Sequence, residues 1–168
     1  MAVMPCLFPT FSISIELLNI CSVDTDLLTN SKTQRIAFNF PIRVYYEDTD
    51  AGGIVYYANY LKFCERARTE WLRTLTISQQ ALLKENVGFV VKRIEMDNAF
   101  PAKLDDLLQV KTTITELKRA SITFEQAIKN QNEQVIANVI AQVVCVTIDT
   151  LKPCAFPITI SGAFKRVS

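Results

Sequence analysis

Ile36-Ala37-Phe38-Asn39-Phe40-Pro41-Ile42-Arg43-Val44-Tyr45-Tyr46-Glu47 runs into Asp48-Thr49-Asp50-Ala51-Gly52-Gly53. In the first part Ile36, Phe38, Phe40, Ile42, Val44 and Tyr46 alternate with their neighbours. Successive side chains of an extended chain point to opposite sides, so this alternation predicts a strand with one buried face. Pro41 has no N–H for a ladder, which places the strand at a sheet edge or puts a bulge at that point. The second part is a polar turn. The whole chain has only four glycines, and two of them stand here. Adjacent glycines permit backbone angles that side chains forbid and let a ligand approach the main chain closely.

Downstream the period changes. Tyr57, Tyr60, Leu61, Cys64, Trp71, Leu72 and Leu75 recur at three- and four-residue steps, which predicts a helix with one apolar stripe. Lys62, Arg66, Thr69, Glu70 and Arg73 fall on the other side. Arg68 points into the stripe and Glu65 lies on its flank, one turn away. Two readings stay open: a local ion pair at three-residue spacing, or support of an active site by either residue. A short helical piece is expected over Ser78–Lys84.

The remainder reads as β structure. Val87–Ile94 is β-rich and is expected to bulge or bend at Phe100-Pro101. Alternation marks Val110–Ile114 and Ile122–Ile128, and Asn130-Gln131-Asn132 marks a turn. Val135–Ile148 is apolar and β-branched, the pattern of a central strand buried on both faces. Pro153 and Pro157 end regular structure and leave a short tail. A strand, a long helix and four further strands make an α+β domain, its mostly antiparallel sheet wrapped around one helix.

Upstream, residues 1–33 form an N-terminal extension, read as poorly ordered or as a short segment packed on the domain. The domain proper spans 34–168. No Lys or Arg precedes Lys32, so a signal peptide's basic start is missing. Glu16 interrupts an apolar run that is also too short for a membrane span. Pro5 and Pro9 break any helix there.

Lys+Arg is 18 and Asp+Glu is 17, without the basic excess of a nucleic-acid binder. A local basic patch for a phosphorylated ligand remains open. The five cysteines are odd in number and include no Cys-x-x-Cys pair, which argues against a disulfide framework or a zinc site. Cys64 and Cys145 sit in apolar segments as small hydrophobes, and free thiols fit a reducing compartment. There is no histidine. Ser-His-Asp triads, Cys-His pairs and the His-Glu-x-x-His zinc motif are thereby excluded. Carboxylates, Lys, Tyr, Cys or water are left for acid–base work.

The string Val44-Tyr45-Tyr46-Glu47-Asp48-Thr49-Asp50-Ala51-Gly52-Gly53-Ile54-Val55-Tyr56-Tyr57-Ala58-Asn59-Tyr60 resembles the YbgC-type acyl-CoA thioesterases, within the wider 4-hydroxybenzoyl-CoA thioesterase group of hotdog proteins. The similarity continues through Glu65-Arg66-Ala67-Arg68-Thr69-Glu70, Pro101-Ala102-Lys103-Leu104-Asp105-Asp106 and Val143-Val144-Cys145-Val146, from about Phe38 to Phe164. The resemblance implies a hotdog fold, pairing into a homodimer or homotetramer, and an active site at the subunit interface. It implies an acyl-CoA substrate with no metal and no organic cofactor, coenzyme A being part of the substrate. It also implies a cytoplasmic protein, free or peripheral to the inner membrane, linked with the Tol–Pal system and with acyl carrier protein as a further partner.

By the same resemblance Asp50 is the catalytic aspartate and the Tyr57 N–H donates to the thioester oxygen. Gly52, Gly53, Ile54, Val55, Asn59 and Glu65 are the implied substrate-site residues. Many YbgC-type proteins carry histidine where this chain has Tyr57, while the 4-hydroxybenzoyl-CoA branch has tyrosine. That departure removes a histidine base and leaves Asp50 untouched. The Tyr57 ring either lines the acyl pocket or is an ordinary core aromatic.

A thioester needs an attacking oxygen and a stabiliser for the charge that develops on its carbonyl oxygen. A carboxylate attacks directly or activates water as a general base, and both routes stay open. Free N–H groups where the glycine turn meets a helix suit the developing anion. An isolated Asp before Gly is as readily a helix cap or turn former. Only the surrounding string gives Asp50 its catalytic reading, and Asp48 reads as structural. Lys118 and Arg119, in a tight turn, are candidates for the coenzyme A phosphates, with solvated turn residues as the alternative. Lys92 and Arg93 are weaker candidates. The competing readings are a non-catalytic hotdog module that binds acyl-CoA or acyl carrier protein, and a structural partner in an envelope assembly.

Overall fold

The computed structural model describes residues 36–168. The extension expected over 1–33 lies outside the described residues. β1 (Phe38–Arg43) is followed by a 3-10 turn at Tyr46–Asp48 and by helix α1 (Tyr57–Thr74). Helix α2 (Gln79–Lys84) leads to β2 (Val87–Asn98), β3 (Leu107–Leu117), β4 (Ser121–Lys129) and β5 (Val135–Thr147). A two-residue strand β6 (Lys152–Pro153) and helix α3 (Ile158–Lys165) close the chain. The sheet order is β1-β3-β4-β5-β2, with β6 beside β5, and each pairing is antiparallel. Pro41 thus lies on an edge strand, opposite Gln109, where its missing N–H costs no ladder bond to a second neighbour.

Period-two alternation aims one row of each strand at α1. Leu108, Val110, Thr112 and Ile114 of β3 are buried, as are Ile122, Phe124, Gln126 and Ile128 of β4. The first half of α1 sets Tyr60, Phe63, Cys64 and Ala67 against Val44, Val110, Ile128 and Val139. The second half sets Trp71 and Leu72 among Ile114, Phe124, Val143, Phe156 and Phe164. Each such large side chain contributes roughly 1.5–3 kcal/mol by leaving water. The sheet curls around the helix, an α+β hotdog architecture.

Several local expectations change. The first strand ends at Arg43 rather than continuing to Glu47. The Asp48 carboxylate accepts the Tyr45 N–H at 3.0 Å and winds the chain into a turn that alternation alone does not reveal. β5 is central, yet only one of its faces is buried: Ile140 is 44% exposed while Val139 and Ala141 are enclosed. β2 bulges between Val91 and Arg93, well before Phe100-Pro101. The expected tail contains α3, whose Ile160, Ala163 and Phe164 join the core. Phe63 and Ala67, not Tyr57, complete the buried face of α1.

Candidate active site

The loop between the 3-10 turn and α1 is held almost entirely by main-chain bonds. The Asp50 N–H donates to the Ile54 carbonyl at 2.9 Å, and the Gly53 N–H donates to the Asp50 carbonyl at 3.0 Å. The Gly52 N–H donates to Asp50 Oδ1 at 2.8 Å, an Asx-type turn that fixes one carboxylate oxygen and leaves the other open. Gly53 has φ +74°, a left-handed backbone that a Cβ disfavours. Gly53→Ala is therefore expected to cost about 1–2 kcal/mol; urea denaturation of the two proteins checks this.

Neighbouring segments clamp the loop. The Val55 N–H donates to the Ala102 carbonyl at 2.8 Å, and Ile54 bridges Lys103. Two donors, the Tyr56 N–H and the Asn59 side-chain amide, converge on the Asp48 carbonyl at 2.9 and 3.0 Å. Asp48 is buried, so both its carboxylate and its carbonyl serve the loop. The Tyr60 hydroxyl accepts the Ala102 N–H at 3.0 Å, and burial pushes its pKa up.

α1 starts without a side-chain cap. Tyr56 is the capping residue, in extended conformation, and Asp50 stands outside the helix. Among the described residues, the Tyr57 and Ala58 N–H groups have no acceptor, whereas the Asn59 N–H returns to the Tyr56 carbonyl at 2.8 Å. Unpaired amides at a helix N-terminus carry the positive end of its dipole. Asp50, Ala51, Gly52, Gly53 and Ile54 are exposed beside this helix start.

The sequence-predicted residues divide into groups. Asp50, Gly52, Gly53, Ile54 and Tyr57 share the exposed loop and helix start. The Tyr57 ring is 56% exposed and lies 4.8 Å from the Tyr56 ring, so it is no core aromatic of this chain. Val55 and Asn59 are buried, their side chains packed or bonded beneath the loop. Glu65 sits two turns along α1 and accepts the Thr69 hydroxyl at 2.7 Å. No ion pair between Glu65 and Arg68 forms; Arg68 turns inward and donates to Gln126 Oε1 at 2.5 Å. Lys118 and Arg119 lie past the end of β3, where Lys118 pairs with Glu116 at 2.9 Å. The Asp50 loop is tied to the residues before β3, so the strand's length, roughly 33 Å at 3.3 Å per residue, separates them within one chain. Lys103 and Ala102, the clamp on the loop, had no chemical signature in the sequence. Gln126 did have one, a polar residue in phase with Phe124 and Ile128. Among the described residues no group of three or more His, Cys, Asp or Glu side chains could hold a metal ion.

The sequence profile of the thioesterase-like superfamily matches residues 44–164. The acyl-CoA thioesterase YbgC of Haemophilus influenzae is 52% identical over 131 residues, covering 77% of this chain and 96% of that protein. The acyl-CoA thioester hydrolase YbgC of Escherichia coli is 47% identical over 129 residues, with the same two coverages, 77% and 96%. The crystal structure of a 1,4-dihydroxy-2-naphthoyl-CoA thioesterase from Synechocystis superposes with a TM-score of 0.73 at 25% identity, over 77% of this chain and 96% of that one. A profile match across the loop, the helix and the sheet, joined to near-complete coverage of relatives about half identical, means that this chain belongs to the thioesterase-like superfamily and to the YbgC group within it.

Proposed function

We propose that this chain is an acyl-CoA thioesterase in which Asp50 does the oxygen chemistry and the first amides of α1 hold the charge on the thioester oxygen. The observation that carries this reading is the Asp50 carboxylate, pinned through one oxygen by Gly52 N–H in a loop that leads to the unpaired Tyr57 and Ala58 N–H groups. The pinned oxygen fixes the orientation of the carboxylate, and the second oxygen is free to work. In the general-base route it takes a proton from water, and the water oxygen adds to the thioester carbon. In the nucleophilic route it adds to that carbon itself and gives a mixed anhydride, which water then cleaves. In both, negative charge moves to the carbonyl oxygen, where helix-terminal amides stabilise it. The carbon–sulfur bond then breaks, the coenzyme A thiolate leaves and takes up a proton, and a carboxylic acid remains. Main-chain donors do not depend on the side chain at position 57, so Tyr57 serves there as well as histidine would. No cofactor is required by either route.

The site is proposed to be completed by a second copy of the chain. β2 is the outer edge of the sheet opposite β1, and it exposes Val90 at 44%, Val91 at 42% and Ile94 at 38%. An edge strand of this length with apolar residues on view favours pairing with another strand. Any contact of Lys118 and Arg119 with coenzyme A phosphates would then come from the partner copy. The three described cysteines are free thiols, which supports a cytoplasmic setting.

A thiol-release assay of the full chain against short aliphatic, long aliphatic and aroyl coenzyme A esters tests this reading. Release of coenzyme A from at least one class is expected. Saturable binding with no thiol released from any ester would instead establish a binding module.

A further inference from the structure

A guanidinium that the proposed hydrolysis does not use faces an apolar cavity of about 320 Å³. The cavity lies between the second half of α1, α2, the start of β2 and the C-terminal segment, and its walls include Leu72, Phe89, Ile122, Phe124, Val143 and Phe156. Arg68 reaches it from α1 and is only 8% exposed. Its one hydrogen-bond partner among the described residues is Gln126 Oε1, and none of the ion pairs there includes it. Among the described residues no fully enclosed side-chain nitrogen or oxygen lacks a partner. The other guanidinium nitrogens have no partner among the described residues, and Arg68 is one of the residues that line the cavity. Glu65 is at the rim, exposed and engaged by Thr69, and does not close on Arg68.

A guanidinium keeps its charge in any protein setting, and a buried charge without a counter-ion is costly. The group that best fits its planar fork is a carboxylate. The surrounding walls are apolar, and the volume is at the small end of the range for ligand pockets, about 300–1,000 Å³. We propose that this cavity binds a small apolar monocarboxylate, its tail among the aromatic and aliphatic walls and its carboxylate on Arg68. A phosphate fits less well, since it brings a second charge against a single cation and no tail for the walls. The proposed hydrolysis leaves an acid of this class, so the choice of ligand rests on that reading, while the cavity itself is lined by residues from Glu65 onward and by none of the Asp50 loop.

Calorimetric titration of the full chain with octanoate and with octanol provides the test. Octanoate is expected to saturate one site per chain at least ~10-fold more tightly than octanol, the scale of a hydrogen bond to a charged group. Arg68→Met is expected to abolish that preference, and Asp50→Asn to leave it intact, so that loss of hydrolysis and loss of acid binding are read separately. Equal affinity for octanoate and octanol in the unaltered protein would overturn the proposal, as would a preference retained in Arg68→Met. If Arg68→Met does not fold, Leu83→Trp at the exposed rim of the cavity takes its place: octanoate binding lost there supports the site, and unchanged octanoate affinity overturns it.

Discussion

Asp50→Asn lowers thioester hydrolysis at least ~100-fold and leaves the fold intact, the lower end of the effect of removing an acid–base group. The substitution is close to isosteric, and Asn keeps an oxygen for the Gly52 N–H that now bonds Asp50 Oδ1. The other bonds of the loop run through main-chain atoms of Asp50 and Ile54, which the change does not touch. The side chain is exposed, so no buried partner is lost. What disappears is the second oxygen's ability to take a proton or to attack. The loss should fall on kcat, with KM little changed, because the amides at the start of α1 still bind the carbonyl oxygen. Thiol release and thermal unfolding measured on the same purified samples check both halves. Turnover like that of the unaltered protein would remove Asp50 from the mechanism, and a large drop in Tm would mean that the residue is chiefly a turn former.

The contrast between Asp50 and Asp48 explains how much of the site could be read in advance. Both acids stand in one polar run, and neither composition nor spacing separates them. The structure separates them by burial: Asp48 is 5% exposed and consumed by the Tyr45, Tyr56 and Asn59 donors, whereas Asp50 is exposed. The long helix and the antiparallel run of strands were legible because periodicity records which face of each element is buried, and the missing N–H of Pro41 narrowed β1 to a sheet edge or a bulge. Alternation could not show where β1 stops, since Tyr45 and Tyr46 keep the pattern while the Asp48 carboxylate bends the chain away. The β-branched composition of Val135–Ile148 marks a central strand, and β5 is one. It overstated the burial, because helix α1 covers just one face of the sheet in this chain. Charge and turn position mark Lys118 and Arg119 in the sequence, but neither says anything about distance along β3.

Gln126→Leu costs about 3 kcal/mol of stability, a large share of the roughly 5–15 kcal/mol that holds a domain of this kind together. Gln126 is fully enclosed in the middle of β4. Its carbonyl oxygen accepts from Arg68, and its amide donates to the Cys64 carbonyl at 2.9 Å and to the Thr112 hydroxyl at 3.0 Å. Leucine fills a similar volume, so the cost comes from polar groups left without partners and not from a cavity. The largest cost falls on the guanidinium, which would lose its only hydrogen bond among the described residues while remaining buried. Removing the charge as well should therefore recover part of the loss: Gln126→Leu combined with Arg68→Met is expected to be more stable than Gln126→Leu alone, since an apolar pair replaces a broken polar one. Urea denaturation of the unaltered protein, the two single variants and the double variant gives this cycle. A Gln126→Leu change of less than about 0.5 kcal/mol, the ordinary range for surface substitutions, or strict additivity in the cycle would mean that the guanidinium draws its bonds from water in the cavity rather than from β4.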